Sequence, residues 1–574
     1  MRWGLGGLEA AAGRLPPERR ATDGAAGGSS ARLNNAMDGK AEAYRGDETF
    51  VRPVQWITCL LGPQVVALQR FGLKASNETF GHRFHAPKAI ALKSPADYEP
   101  KLKAAQVWAD FETRKLEIMK QIEAEAKKLK GTARITDDLL TEVAAIVEWP
   151  TAIHGRMEDR FMALPPEVII ATIETNQRYF PVIGADGKLL PVFITVSNIE
   201  SKDVAQVVTG NERVVRPRLA DALFFWKQDQ KWPLADYRQS LTTVMFQKEI
   251  GTLGRKVEKI SSLVSHMTGG LNAEAKRAAE LCKNDLVTKM VFEFPELQGV
   301  MGGYYAEKSG ESAAVALAIR EHYLPTQQGT SIPSTNEGQI VALADKLDTL
   351  VSIYSIGLKP TASKDPYALR RAALGALRIC IEGKHTYDFA DLLRIVLAHQ
   401  MGKPDLAMLN DVTEFVFERL RSYYTEQQLP PEMFEAVKAL GITVPLDFDT
   451  RIKALQSFWA LPAAKNLAAA HKRVRNILKQ AGDAGSDKVD AALFEHAAEK
   501  VLATKMAELE RASAKADYGT KLKNLANLRE PVDAFFEGVM VNAEDAKVRN
   551  NRLALLRQLD KLCREVADIS LLPG

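Results

Sequence analysis

Hydrophobic residues along this chain change their spacing near residue 210. From Phe50 the apolar positions come in short β-branched runs, FVRPVQWITCLLG, VVALQRFGL and later EVIIATIETNQRYFPVIGADGKLLPVFITVSNI. Runs of this kind bounded by Gly and Pro predict strands, the last piece giving two strands joined by a turn at Gly184–Gly187 and then a further strand. Between them, Tyr98 to Leu129 has helical spacing and few breakers, which predicts a helix. Residues 46–209 therefore read as an α/β module. Beyond about 210 the pattern is helical almost to the end, punctuated by Pro and Gly clusters at 324–338, 357–366 and 429–445. PPEMFEAVKALGITVPLDFDTR reads as a junction between a helical middle region, 210–450, and an Ala- and Leu-rich helical unit, 451–574. The expected fold class is multidomain α+β, an N-terminal α/β module followed by mostly helical domains.

Residues 1–45 have neither periodicity. Ala and Gly dominate there and β-branched residues are scarce, so the segment buries too little apolar surface to offset chain entropy and reads as a loop or disordered stretch. A cleaved organelle signal fits less well, because Glu9, Glu18 and Asp23 interrupt its arginines.

Composition narrows the function classes. A chain of 574 residues, 46% apolar and 26% charged, is neither wholly disordered nor a rod, and at about 150 residues per domain it holds roughly four domains. Because 76 basic residues face 72 acidic ones, any nucleic-acid surface has to be a local strip on a balanced background. Cys59, Cys282, Cys380 and Cys563 lie far apart with no CxxC, against a zinc site or disulfide framework. The apolar runs are too short to span a bilayer.

Three segments carry basic chemistry. HKRVRNILKQ places Lys472, Arg475 and Lys479 on one side of a helix, with Arg473 and Asn476 beside them and Val474, Ile477 and Leu478 facing inward. KVRNNRLALLRQL repeats the design with Lys547, Arg549, Arg552 and Arg557 around Asn551. GNERVVRPRLADALFFWKQD clusters Arg213, Arg216 and Arg218 before an aromatic helix. Guanidinium forks match phosphate oxygens, whereas the bland alternative pairs these arginines with Glu212, Asp221 and Asp229. A fourth segment, PTASKDPYALRRAALGALRI, carries Arg370, Arg371 and Arg378 behind the capping residues Ser363 and Asp365; its arginines suit RNA or salt bridges equally.

Catalytic motifs do not appear. There is no GxxxxGK[ST], no GxGxxG after a strand, no GxSxG and no HExxH. GHRFHAP offers His82 and His85 without a third ligand, and both read as structural. His322, Asp345 and Asp348 resemble part of the metal set of the phosphohydrolases named for an adjacent His-Asp pair, but none of the nine histidines is followed by Asp. The expectation is a chain with no catalytic residue and no metal site of its own.

The segments FVRPVQW, GHRFHAP, EWPTAIHG, GNERVVRPRLADALFF, FQKEIGTLGRK, DLVTKMVFEFPELQGVMGGYYA, ALADKLDTL, PTASKDPYALRRAALGALRI, KRVRNIL and PVDAFFEGVMVNAEDAKVRNNRLALL run in order over nearly the whole chain from residue 50. In this series the sequence resembles the beta subunit of bacterial two-subunit glycyl-tRNA synthetase. The resemblance implies attachment of glycine to tRNA(Gly), with ATP and Mg at a separate alpha subunit, no cofactor on this chain, an α2β2 assembly and a cytoplasmic location. It also implies a degenerate His-Asp domain in the middle and a C-terminal anticodon-binding bundle. Lys472, Arg473, Arg475, Lys479, Arg549 and Arg552 then become candidate tRNA contacts, joined by Arg213, Arg216 and Arg218, with Asn476 and Asn551 nearest for base reading.

Two departures stand out. Met1-Arg2-Trp3-Gly4 resembles a segment that lies inside the family's chain, so the family's N-terminal region is expected to be missing. Gly329-Thr330 stands where the family commonly has Gly-Asp. A stand-alone tRNA-binding protein derived from that subunit remains an alternative, and a metal phosphohydrolase a more distant one.

Overall fold

The turn at Gly184–Gly187 closes a hairpin: Gly187 takes a left-handed φ of 77° and donates its N–H to Gly184 O at 3.0 Å. This hairpin is the centre of an antiparallel four-stranded sheet, ordered Gly131–Ala133, Phe180–Gly184, Leu189–Ser197 and Thr151–Arg156. Helices Phe111–Lys128 and Asp137–Ile146 cover one face, burying Ile118, Ile122, Val143, Phe180, Val182 and Ile194 in a single core. The computed structural model describes residues 54–327, 329–361, 364–401, 405–482 and 486–573. The Ala/Gly-rich stretch 1–45 and Ser363 lie outside these residues.

Three local expectations change. After the turn comes one unbroken strand of nine residues rather than two. EVIIATIE is helical: Pro166 starts Pro166–Ala171, which continues as a π turn over Thr172–Asn176. Its β-branched residues Val168, Ile169 and Ile173 are fully buried, so packing overrides their strand preference. The helix expected over 98–129 is two, Tyr98–Ala104 and Phe111–Lys128. Gln106 at φ 59° breaks the first, and Asp110 caps the second by accepting from Thr113 N at 2.8 Å.

The chain divides into two units between Gln228 and Asp229. The change of spacing near 210 precedes this division because one helix, Val204–Asp229, fills the interval up to it, carrying the buried stripe Val215, Leu219, Ala222 and Trp226. The unit from Asp229 onward is helical apart from a two-stranded antiparallel ribbon, Met245–Gln247 with Gly251–Thr252. At its centre lies Asn336–Ser355, almost wholly buried, packed by Leu253–Met267, Ala273–Leu281, Ala313–Glu321, Leu369–Glu382 and Phe389–Met401. The tail comprises Pro462–Ala481, Ala497–Ser513, Tyr518–Ala526, Arg529–Gly538 and Ala546–Cys563. Among the described residues no helix is long and apolar enough to cross a membrane.

His82 and His85 act as local fasteners. His82 Nδ1 accepts the N–H groups of Phe84 and His85, each at 3.3 Å, which fixes the tautomer whose Nε2 donates to Asn198 O at 2.6 Å. His85 Nε2 accepts from Glu200 N at 3.1 Å. Asn198 Oδ1 also accepts from Glu148 N and Trp149 N, at 2.7 and 3.0 Å, so one short segment ties together three remote parts of the chain.

Candidate nucleic-acid interface

Helix Pro462–Ala481 starts with Pro at its first position and buries Ala464, Leu467, Ala468, His471 and Val474. His471 Nε2 sits 2.8 Å from Asp560 Oδ1 on helix Ala546–Cys563, which fixes the rotation of one helix against the other. That rotation leaves Lys472, Arg473, Arg475, Asn476 and Lys479 exposed. Arg475 leans back over Asp560 and Asp568, at 3.6 and 3.9 Å, and remains 42% exposed. The Arg473 guanidinium lies 4.3 Å from the centre of the half-buried Phe536 ring. An arginine braced on an aromatic face keeps its donors outward and loses little freedom on binding. Among the described residues Lys472, Asn476 and Lys479 have no ion pair or side-chain hydrogen bond. The aromatic brace was not legible beforehand, because Phe536 is more than sixty residues away in sequence.

The second basic helix corrects the expectation for two residues. Arg552 is 2% exposed: its Nε donates to Glu499 Oε1 at 2.9 Å, one Nη to Glu495 at 2.8 Å and the other to Met540 O at 3.0 Å. Asn551 is 5% exposed and clamps the backbone of Asp490, accepting from its N–H at 2.7 Å and donating to its carbonyl at 3.0 Å. Neither is placed to meet RNA; both hold the loop and helix before them. Arg549 stays half-exposed, with one Nη donating to Ala543 O at 2.9 Å.

Arg213, Arg216 and Arg218 belong to the other unit and lie within helix Val204–Asp229, not ahead of it. All three are exposed, off the buried stripe. Arg216 pairs with Glu158 at 2.6 Å. Two of the three acids expected as their partners are used elsewhere: Glu212 accepts from Arg156 N at 2.8 Å, and Asp229 accepts from Lys289 N, Met290 N and Tyr305 OH.

His322, Asp345 and Asp348 do converge, around two lysines that sequence reasoning missed. Lys283 Nζ lies 2.9 Å from His322 Nε2 and 2.7 Å from Asp345 Oδ2. Lys256 Nζ lies 3.0 Å from Asp345 Oδ1, 2.9 Å from Asp348 Oδ2 and 2.6 Å from Thr349 Oγ1. Burial alone would raise the Asp345 carboxyl, but the two ammonium groups outweigh it and hold it far below the usual carboxylate range. Among the described residues no three His, Cys, Asp or Glu side chains are grouped as metal ligands.

The cluster has a pH signature. His322 Nδ1 donates to Ile319 O at 2.6 Å and Nε2 accepts from Lys283, so the ring is neutral; burial and the Lys283 charge push it well below its ordinary 6.5. Below pH 6.5 the unfolded chain takes up a proton that the folded ring refuses, so this group's contribution to stability falls as the pH drops. Between pH 7.5 and 5.5 protonation of the unfolded chain alone caps the loss at about 1.4 kcal/mol. Asp285, pushed up to about 6 by burial, works in the opposite sense. The measurement is therefore the difference between wild type and His322→Gln in urea unfolding at the two pH values; equal shifts in both would refute the assignment.

Comparison with known proteins completes the picture. Residues 36–439 match the family model described as "Glycyl-tRNA synthetase beta subunit", and residues 467–569 match "DALR anticodon binding domain". The glycine–tRNA ligase beta subunit of Ectopseudomonas mendocina is 48% identical over 538 residues, covering 92% of this chain and 78% of that protein. Those of Pseudomonas aeruginosa and Pseudomonas fluorescens are 47% and 48% identical over 533 residues, with the same coverage. The second matched region contains both the exposed basic strip and the His471–Asp560 contact that orients it. With the sheet-bearing unit, the helical middle and this tail all accounted for, the chain belongs to the glycyl-tRNA synthetase beta subunit family.

Proposed function

We propose that this chain is the tRNA-recognising subunit of a glycine–tRNA ligase, acting in an α2β2 assembly in the cytoplasm. In this reading the alpha subunit binds ATP and Mg and forms the adenylate, while this chain binds tRNA(Gly) through its helical tail. The observation that carries it is the strip Lys472, Arg473, Asn476 and Lys479, exposed on a helix whose rotation is locked by His471 and Asp560, within the region matched to an anticodon-binding domain. Cations on such a strip position the RNA backbone, and the amide of Asn476 is suited to a base edge. Phe536 beneath Arg473 supplies a flat apolar surface at the same place.

The test is glycine- and ATP-dependent charging of tRNA(Gly) by this chain alone, by the alpha subunit alone and by the mixture. Activity is expected only in the mixture; tRNA binding with no gain on mixing would favour a stand-alone tRNA-binding protein instead. Arg473→Ala is expected to raise the Kd for tRNA(Gly) about tenfold and to lower the slope of log K against log salt by about 1. Unchanged affinity in a variant with wild-type thermal stability would remove the strip from the interface.

A further inference from the structure

Helix Leu369–Glu382 presents Arg370, Arg371, Leu374, Gly375 and Arg378 along one wall of a cleft of about 180 Å³. Arg419 and Ser422 of helix Arg419–Glu426, with Pro325 and Gln327, complete the lining. Most of these guanidinium groups are already aimed by neutral or aromatic neighbours. Arg370 Nη2 donates to Thr361 O at 2.5 Å, and Arg378 Nη2 to Thr330 O at 2.9 Å. Arg419 donates to Phe415 O at 3.3 Å with its guanidinium 5.2 Å from that ring's centre. Arg371 is exposed and has no ion pair among the described residues.

Acidic compensation is incomplete. Glu382 holds Arg378, at 2.6 and 3.2 Å. Asp365 spends its two oxygens on the N–H groups of Leu369 and Arg370, at 2.8 and 3.0 Å. Four arginines thus share Glu382, Asp365 and Glu418, the last of which also holds Arg421 and Lys438, and a buried ammonium, Lys346, lies behind the Gly375 wall, where an added Cβ would stand 3.0 Å from Lys346 Cε. Burial and the nearby Arg370 charge hold the Arg419 guanidinium below its ordinary range. Like charges gathered with too few counter-ions cost stability, and an anion entering between them relieves that cost.

We infer that this arginine-walled cleft is an anion site that takes a phosphodiester group of the tRNA backbone, a contact separate from the basic strip of the tail. The inference rests on the proposed role in tRNA recognition. The wall is made of helix faces carrying planar donor forks, which match the paired oxygens of a phosphate, and it offers no sheet edge for an extended acidic peptide.

The test uses the assembled two-subunit enzyme and tRNA(Gly). Arg371→Glu is expected to raise the Kd for tRNA about tenfold at 100 mM salt and to reduce the salt slope by about 1, with Arg371→Lys retaining most of the affinity. Modification of Arg371 and Arg419 by phenylglyoxal, read by mass spectrometry, is expected to slow when tRNA is added. Wild-type affinity and slope in Arg371→Glu, together with no protection by tRNA, would overturn the site; if Arg473→Ala still weakens binding, the tail's role survives that failure. Protection by polyglutamate but not by tRNA would assign the cleft to an acidic protein segment and equally overturn it. Failure of the wild-type enzyme to bind tRNA(Gly) would remove both readings together.

Discussion

Lys256→Met is expected to cost the helical unit about 3–5 kcal/mol at pH 7, the range for removing one partner of a buried ion pair. Lys256 is 4% exposed and Asp348 2%, so the substitution leaves a desolvated carboxylate with no cation in contact and takes one of two counter-charges from Asp345. Thr349 Oγ1 loses the donor Lys256 and keeps only its own bond to Asp345 O at 2.8 Å. Urea unfolding followed by far-ultraviolet circular dichroism reads the change as a lower midpoint. The informative control is the double change Lys256→Met, Asp348→Leu, which removes the Lys256–Asp348 pair together and leaves Asp345 with Lys283. Apolar replacements of buried ion pairs are often neutral, so the double variant is expected to recover most of the loss. A single variant as stable as wild type would mean that these charges are solvated, against the burial described.

Arg552→Ala is expected to destabilise the tail by a similar amount, about 3–5 kcal/mol, because it leaves the completely buried carboxyl of Glu499 without its cation. Glu499 already accepts from the N–H groups of Glu495 and His496, at 2.9 and 2.8 Å, so it caps helix Ala497–Ser513 and bridges it to Ala546–Cys563. Arg552→Lys is expected to restore little, since an ammonium cannot replace a fork that serves Glu495, Glu499 and Met540 O together. Thermal unfolding measures the loss. At a temperature where the alanine variant remains folded, its affinity for tRNA(Gly) is expected to equal that of wild type, because the side chain is inside the protein. A specific loss of affinity in the folded variant would return Arg552 to the RNA surface.

These two arginine and lysine positions show what the sequence could and could not disclose. Arg552 lies in register with Val548, Leu555 and Leu559, all buried, so the helical spacing itself placed it on the apolar stripe. Lys256 likewise sits between Leu253, Val257 and Ile260 on its helix. A charge on such a stripe is a legible sign of a buried partner, but the partner is not. Lys256 meets Asp348 across 92 positions and Arg552 meets Glu499 across 53, and no local pattern encodes such distances. Helix 462–481 was readable because its basic and apolar faces separate by spacing alone. EVIIATIE was misread for the converse reason: its β-branched residues are buried all round, and a fully apolar run has no periodicity to distinguish helix from strand. The family was legible because its motifs are long and ordered, which is independent of whether each side chain faces outward.

The fastening of His82 and His85 to residues 198–200 bears on how the chain is made. His82 Nε2 meets Asn198 O across 116 positions, and the same asparagine receives the N–H groups of Glu148 and Trp149. A ribosome adding about 5–20 residues per second needs roughly 6–23 s to deliver Asn198 after His82. Throughout that interval the short strands around residues 57–91 lack their clasp, with open edges available to other nascent chains on the same messenger.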